Sequence, residues 1–249
     1  MTEMWLVRHG QTDWNLRGIY QGQSDIPLNE TGINQARALA ASLSGMRFEA
    51  IYSSDLGRAL HTASFIASTL GLPVIADPRL REINQGVWEG QTIEAVREKY
   101  HPDFSPNGKY ISTPRAEGAE SLEQVIRRMV AAANEYHARH NSGRLLLSTH
   151  GLSAAALYAV ARGIPLVDVA RYIPENTQPL LIQLENPLEL PDFSTYISEN
   201  QLNEFPKSLD LIEYLFYNVT VGVDHFVFKE NSHEPNRHPF RYPSPSADA

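Results

Sequence analysis

Four short stretches hold the residues able to do chemistry. Arg8-His9-Gly10 lies near the N-terminus, Ser53-Ser54-Asp55 is followed by Arg58, Glu82 ends the run Arg79-Leu80-Arg81-Glu82, and His150-Gly151 follows an apolar segment. Guanidinium groups match phosphate oxygens in bidentate geometry. Histidine serves as nucleophile or acid–base group near neutral pH. A glutamate in a closed site can be held protonated as a general acid. Two arginines, two histidines and a glutamate at one place would suit metal-free phosphoryl transfer. Taken singly each has a bland explanation, since an arginine in a first helical turn or a lone glutamate is ordinarily a solvated surface charge. What unites them is position.

The elements that would position them read as alternating strands and helices. Met4–Val7 is a short apolar strand ending at Arg8. Ile33, Ala36, Ala40 and Leu43 recur at helical spacing, and Ala50–Tyr52 is a second strand. Leu56, Ala59, Ala63, Ile66 and Leu70 form a helical face that Gly71 stops. Leu72–Ile75 is the third predicted strand. Ser121-Leu122-Glu123-Gln124 has capping-box spacing and opens a helix to about His140. Arg144–Thr149 is a strand, Gly151 opens an alanine-rich helix over Leu152–Ala161, and Gln178–Leu184 is the last strand. This alternation predicts an α/β fold, a three-layer sandwich with a mostly parallel central sheet and helices on both faces. In such sheets ligands bind beyond the carboxyl ends of the strands. Each of the four stretches falls at such a place.

Composition sets the outer bounds. A chain of 249 residues accommodates one large domain, or one domain plus an extension. The absence of cysteine excludes disulfides, cysteine-based zinc sites and cysteine nucleophiles. A net charge of −8 argues against binding nucleic acid by bulk charge. No apolar run is long enough to span a bilayer, and the first residues lack the features of a secretory signal, so a cytoplasmic protein with no membrane or nucleic-acid partner is expected. Residues 1–185 are read as the catalytic domain. Beyond them, ten acidic residues oppose four basic ones, so most of the net charge lies in the last part of the chain. Residues 186–230 are read as a partly structured extension, with a helix at Leu209–Phe216 and a strand at Val219–Phe228. Residues 231–249 are read as disordered. His225, His233 and His238 lack metal-ligand spacing, and no carboxylate cluster suits magnesium, so neither a metal nor a cofactor is expected. Arg127, Arg128, His137, Arg139 and His140 are read as a solvated helix face, and Trp5, Trp14 and Trp88 as packing residues.

The run Leu6-Val7-Arg8-His9-Gly10-Gln11-Thr12-Asp13-Trp14-Asn15 resembles the signature of the histidine phosphatase superfamily, the phosphoglycerate-mutase-like proteins. Tyr20-Gln21-Gly22, Pro27–Gly32, Tyr52–Leu56 with Arg58-Ala59, Leu80–Ile83, Gly86–Gly90 and Ser148–Gly151 match further family motifs in order, across residues 4–184. The resemblance implies His9 as the nucleophile that becomes phosphohistidine, its second ring nitrogen donating to a backbone carbonyl. It implies Arg8, Arg58 and His150 as a clamp on the phosphoryl oxygens and Glu82 as the general acid and base. Asn15, Gln21 and Gly22 would reach the phosphate or the leaving group, and the Gly151 and Leu152 backbone N–H groups would be anion donors at a helix start. The implied partner is a small phosphomonoester, and a homodimer is the default assembly.

Mutases of the family carry a long basic, proline-rich insertion after the acid–base glutamate. Here the segment between Glu82 and Gly118 holds Arg97, Lys99, Lys109 and Arg115 but no paired arginines and no polyproline run. Gly86-Val87-Trp88-Glu89-Gly90 and Gly118-Ala119-Glu120-Ser121 look like the phosphatase branch, close to ribazole-phosphatase and broad-specificity members. A mutase is the alternative, and a non-catalytic phospholigand-binding module the third reading. His61 and Gln85 depart from the family's usual residues near the leaving-group side. His61 is expected as a partly buried helix histidine, or else near the site.

Overall fold

The computed structural model describes residues 1–100, 109–112, 114–140 and 142–196. In chain order the elements are β1 (Thr2–Arg8), α1 (Asp13–Leu16), α2 (Glu30–Ser42), β2 (Ala50–Ser53), α3 (Gly57–Leu70), β3 (Val74–Ala76), α4 (Ile93–Tyr100), α5 (Lys109–Ser112), α6 (Leu122–His140), β4 (Gly143–Thr149), α7 (Gly151–Arg162) and β5 (Pro179–Leu184). Short 3₁₀ turns at Pro78–Leu80, Gly86–Trp88, Leu166–Tyr172 and Phe193–Tyr196 link them.

The five strands form one sheet in the order β3-β2-β4-β1-β5. All pairs are parallel except β1 with β5. The central strand β4 is buried on both faces, and Leu145, Leu146 and Leu147 are fully shielded. Its continuous apolar run is what a parallel strand sandwiched between helices requires. Alternation sorts the side chains. Met4, Leu6, Tyr52, Leu145 and Leu147 pack against α6 and α7. Val7, Ile51 and Leu146 pack against α2 and α3 on the other face. The predicted three-layer α/β sandwich is therefore present.

Local chemistry fixes the helix ends. Gly71 adopts φ +69° and closes α3, a left-handed conformation that glycine takes without penalty. Ser121 and Gln124 make the reciprocal capping box at the start of α6, Gln124 N–H donating to Ser121 Oγ and Ser121 N–H to Gln124 Oε1. The third strand differs from its expected bounds. It begins at Val74, because Leu72 is drawn into the apolar cluster beneath α3 and leaves only an exposed three-residue edge strand.

Residues 186–196 continue the body. Asn134 of α6 exchanges two hydrogen bonds with the Leu188 backbone, at 2.9 and 2.7 Å, and Phe193 is buried beneath the Arg127 guanidinium. The helix and strand expected at Leu209–Phe216 and Val219–Phe228, and the tail from Asn231, lie outside the described residues. Among the described residues, no helix is long and apolar enough to cross a membrane.

Candidate active site

The carboxyl ends of β1, β2 and β4 lie side by side, and the predicted residues converge there. His9 leaves β1 with its backbone N–H on the Thr149 carbonyl, 3.0 Å away. Asn176 Nδ2 donates to the His9 carbonyl at 2.7 Å. The next residue has to be glycine. A Cβ on Gly10 would stand 2.4 Å from the Gly32 carbonyl oxygen, and one on Gly32 would stand 2.1 Å from the Gln11 carbonyl. The start of α2 is thus pressed against the loop that aims His9. From the other side, Thr62 of α3 accepts the Gly10 N–H at 3.0 Å.

The His9 ring is oriented at both nitrogens. Nδ1 lies 2.7 Å from the Gly10 carbonyl, so it carries the proton and donates. That leaves a lone pair on Nε2, which faces Arg58 Nε at 3.2 Å. Burial, with the Arg58 and Arg8 charges added, holds the imidazole pKa well below its ordinary value. A neutral, tautomerically fixed imidazole is the form a nitrogen nucleophile needs. His150 stands edge-on to it at 5.1 Å and is likewise kept neutral by burial and by Arg58. His150 Nε2 pairs with Ser54 Oγ at 2.8 Å.

The two arginines are locked in place. Arg58 is fully buried and donates to the Ser24 and Gly22 carbonyls at 2.6 and 2.7 Å. Three of its five N–H groups are thereby used, counting the one on His9, and two remain for an anion. Burial lowers its pKa to about 10, offset in part by Glu82, Asp25 and Glu89, so it stays charged at neutral pH. Arg8 donates one N–H to the Pro174 carbonyl at 2.8 Å. Arg8 Nε and His150 Nδ1 are buried with no hydrogen-bond partner. A buried donor such as Arg8 Nε is costly unless a ligand completes it. A buried cationic pocket with unmatched donors is built for an anion.

Glu82 closes the opposite wall. Its Oε1 accepts from Ile83 N–H at 2.9 Å and from Ser153 N–H and Oγ at 3.1 and 3.2 Å, and its Oε2 accepts from Leu152 N–H at 3.1 Å. This corrects one expectation. The Leu152 N–H is engaged by Glu82 and orients the carboxylate instead of standing open to the phosphate. Gly151 keeps its place on the pocket wall, where its missing side chain lets the Arg8 guanidinium lie against the start of α7.

Asn15, Gln21 and Gly22 line the same pocket. Asn15 Oδ1 accepts from the Thr12 backbone N–H at 3.1 Å within a capping box, which leaves its amide group for the pocket. Gly22 sits at φ +50°, and a Cβ there would lie 2.0 Å from Glu89 Oε1. Glu89 in turn accepts from Gln23 N–H and Ser24 Oγ, so it holds the turn whose carbonyls grip Arg58. Around the mouth stand Tyr20, Gln85, Arg115 and Ile173. His61 is not among the lining residues. It is exposed and stacks on Phe65 at 5.0 Å, because its position on α3 turns away from the sheet.

Arg128 departs most from expectation. Its neighbour Arg127 is a solvated residue with 52% side-chain exposure, whereas Arg128 has 16% and reaches the loop that bears Glu82. His137 and His140 are also engaged, with Thr2 Oγ1 at 2.8 Å and the Tyr52 hydroxyl at 2.9 Å. Arg128, Glu89 and Glu120 were not singled out as site residues in the sequence. The two glutamates lie inside matched motifs, which was the available signal. Arg128 carried none. Among the described residues, no group of three or more histidines and carboxylates is placed to hold a metal ion.

Comparison with known proteins bears on the family and the fold. The sequence model of the histidine phosphatase superfamily (branch 1) matches residues 4–187. Phosphoserine phosphatase 1 of Hydrogenobacter thermophilus is 35% identical over 188 residues, 74% of this chain and 88% of that protein. The probable phosphoglycerate mutase GpmB of Proteus mirabilis is 38% identical over 171 residues, 66% of this chain and 77% of that protein. A solved mycobacterial glucosyl-3-phosphoglycerate phosphatase in complex with VO3 superposes with a TM-score of 0.66 at 30% identity, covering 72% of this chain and 90% of that one. Sequence, fold and neighbours agree: the chain belongs to the histidine phosphatase superfamily.

Proposed function

We propose that the protein is a metal-independent phosphomonoesterase that hydrolyses a small phosphorylated metabolite through a phosphohistidine on His9. The observation that carries this reading is the His9 ring itself, buried, neutral, with Nδ1 held by Gly10 and Nε2 turned to Arg58. In the first step the Nε2 lone pair forms the N–P bond while the ester P–O bond breaks. The departing oxygen takes the electron pair and a proton from Glu82. Arg8 and Arg58 balance the charge on the equatorial oxygens, the role that metal ions fill in other phosphoryl transfers, and the neutral His150 adds a hydrogen-bonding group beside them. In the second step Glu82 takes a proton from water, the water oxygen bonds to phosphorus, and the P–N bond breaks to release phosphate and restore His9.

The names of relatives include both phosphatases and probable mutases. Hydrolysis is favoured by the absence of a basic, proline-rich insertion after Glu82 and by the matched phosphatase-branch patterns. The test is phosphate release in the presence of a chelator from phosphoserine, 3-phosphoglycerate, sugar phosphates, a nucleoside monophosphate and ribazole phosphate. Release from at least one compound, reduced at least about 10³-fold by His9→Ala, is expected. Isomerisation that requires a bisphosphate primer, with no net release, would assign the protein to the mutases instead.

A further inference from the structure

Arg128 lies on α6, away from the phosphate pocket, yet three of its five N–H donors reach the backbone of the segment that carries Glu82 and the other two reach Glu120. Nη1 donates to the carbonyls of Arg79 at 2.8 Å and Arg81 at 2.5 Å. Nη2 donates to the carbonyl of Glu82 at 3.0 Å and to Glu120 Oε2 at 3.0 Å. Nε donates to Glu120 Oε1 at 3.0 Å. The ion pair is largely buried, with side-chain exposures of 16% and 22%.

Glu120 extends the grip. Its Oε2 also accepts the Asn84 N–H at 2.8 Å, two residues beyond Glu82. Ser153 Oγ donates to the Arg81 carbonyl at 2.7 Å from the α7 side. The Arg128 and Glu120 side chains therefore hold the backbone of residues 79–84 at three carbonyls and one N–H. This stretch has no strand or α-helix to hold it. A planar guanidinium with five donors in a fixed fork can do this, whereas an ammonium, with three donors at one point, cannot.

We propose that Arg128, braced by Glu120, is a positioning residue that sets the reach of the Glu82 carboxyl to the leaving-group oxygen. The proposal rests on the general-acid reading of Glu82. A misplacement of about 1 Å in a reacting group is enough to cost on the order of 10²-fold in rate.

Leaving-group chemistry supplies the test. An alkoxide must be protonated as it departs, whereas p-nitrophenolate leaves without help. Values of kcat/KM for β-glycerophosphate and p-nitrophenyl phosphate are compared in the wild type, Arg128→Met, Arg128→Lys and Glu82→Gln. For both Arg128 variants the expected loss is about 10–100-fold on the alkyl ester and under about threefold on the aryl ester. Lysine keeps the charge, so recovery of the alkyl activity in Arg128→Lys would show a charge effect and overturn the positioning role. Equal loss on both esters by a folded variant, or no loss on either, overturns it as well. If the Arg128 variants fail to fold, Glu120→Gln decides by the same criterion, selective alkyl loss supporting the proposal and parallel or absent loss ending it. Glu82→Gln separates the two levels. Without selective alkyl loss there, the general-acid reading falls and this proposal with it. With such loss there but none in the Arg128 variants, the positioning role alone falls.

Discussion

His9 and His150 owe their neutrality to burial and to the arginines beside them, and this has a thermodynamic consequence. In the unfolded chain both imidazoles take up protons as pH falls through about 6.5. In the folded protein they do not, because their pKa values lie well below that. The unfolded state then binds more protons, so stability is complete above about pH 6.5 and is lost as pH falls below it. The loss reaches up to about 1.4 kcal/mol per pH unit for each histidine. Asp55, held below the usual carboxylate range by its hydrogen bonds to Arg81, loses its contribution only at lower pH. Urea unfolding in phosphate-free buffer at pH 7.5 and 5.5 should therefore show a clear drop, and a flat profile would contradict the neutral pair. At this scale the sequence was informative where residue type determines chemistry. Arg8, His9, Arg58, Glu82 and His150 could be named because few other side chains do their work. Arg128 could not, because an arginine on a helix looks the same whether it points to water or to a loop far away in sequence. The engagement of the Leu152 N–H by Glu82 is equally invisible, since it depends on where two distant backbones meet.

The elements carry the precision of the site. The loop after β1 is wedged between α2 and α3, and backbone-to-backbone contact at Gly10 and Gly32 sets its position. Gly32→Ala places a Cβ against the Gln11 backbone, where neither side is a flexible side chain. It should cost about 1–3 kcal/mol, the usual range for overpacking, and lower kcat through displacement of His9. Chemical denaturation together with steady-state kinetics measures both. Wild-type stability in that variant would show that the close approach is unimportant. Elements with a strong period or a cap were legible, as α3 with its Gly71 stop and α6 with its Ser121–Gln124 box show. The four-residue α1 and the 3₁₀ turn that precedes Glu82 are too short to show a period, so their bounds came only from the fold.

Across the whole molecule, the crossovers that build the sheet bring β1, β2 and β4 to one edge, so residues 8, 9, 58 and 82 line one pocket and His150 stands edge-on to His9. Strand–helix alternation made the layers legible. The last strand's direction was not, because an antiparallel edge strand has the same local pattern as a parallel one. Packing of Leu188 and Phe193 on α6 was hidden for a similar reason, since the local pattern of a partly structured extension past the last strand does not say what it packs on. The account's central claim is a covalent one, and rapid mixing with p-nitrophenyl phosphate, alkaline quench and mass spectrometry of the peptides tests it most directly. The result it requires is one acid-labile phosphoryl group on His9 Nε2, formed within the first turnover and absent from His9→Ala. Turnover with no phosphorylated His9, or with the label on another residue, would contradict it.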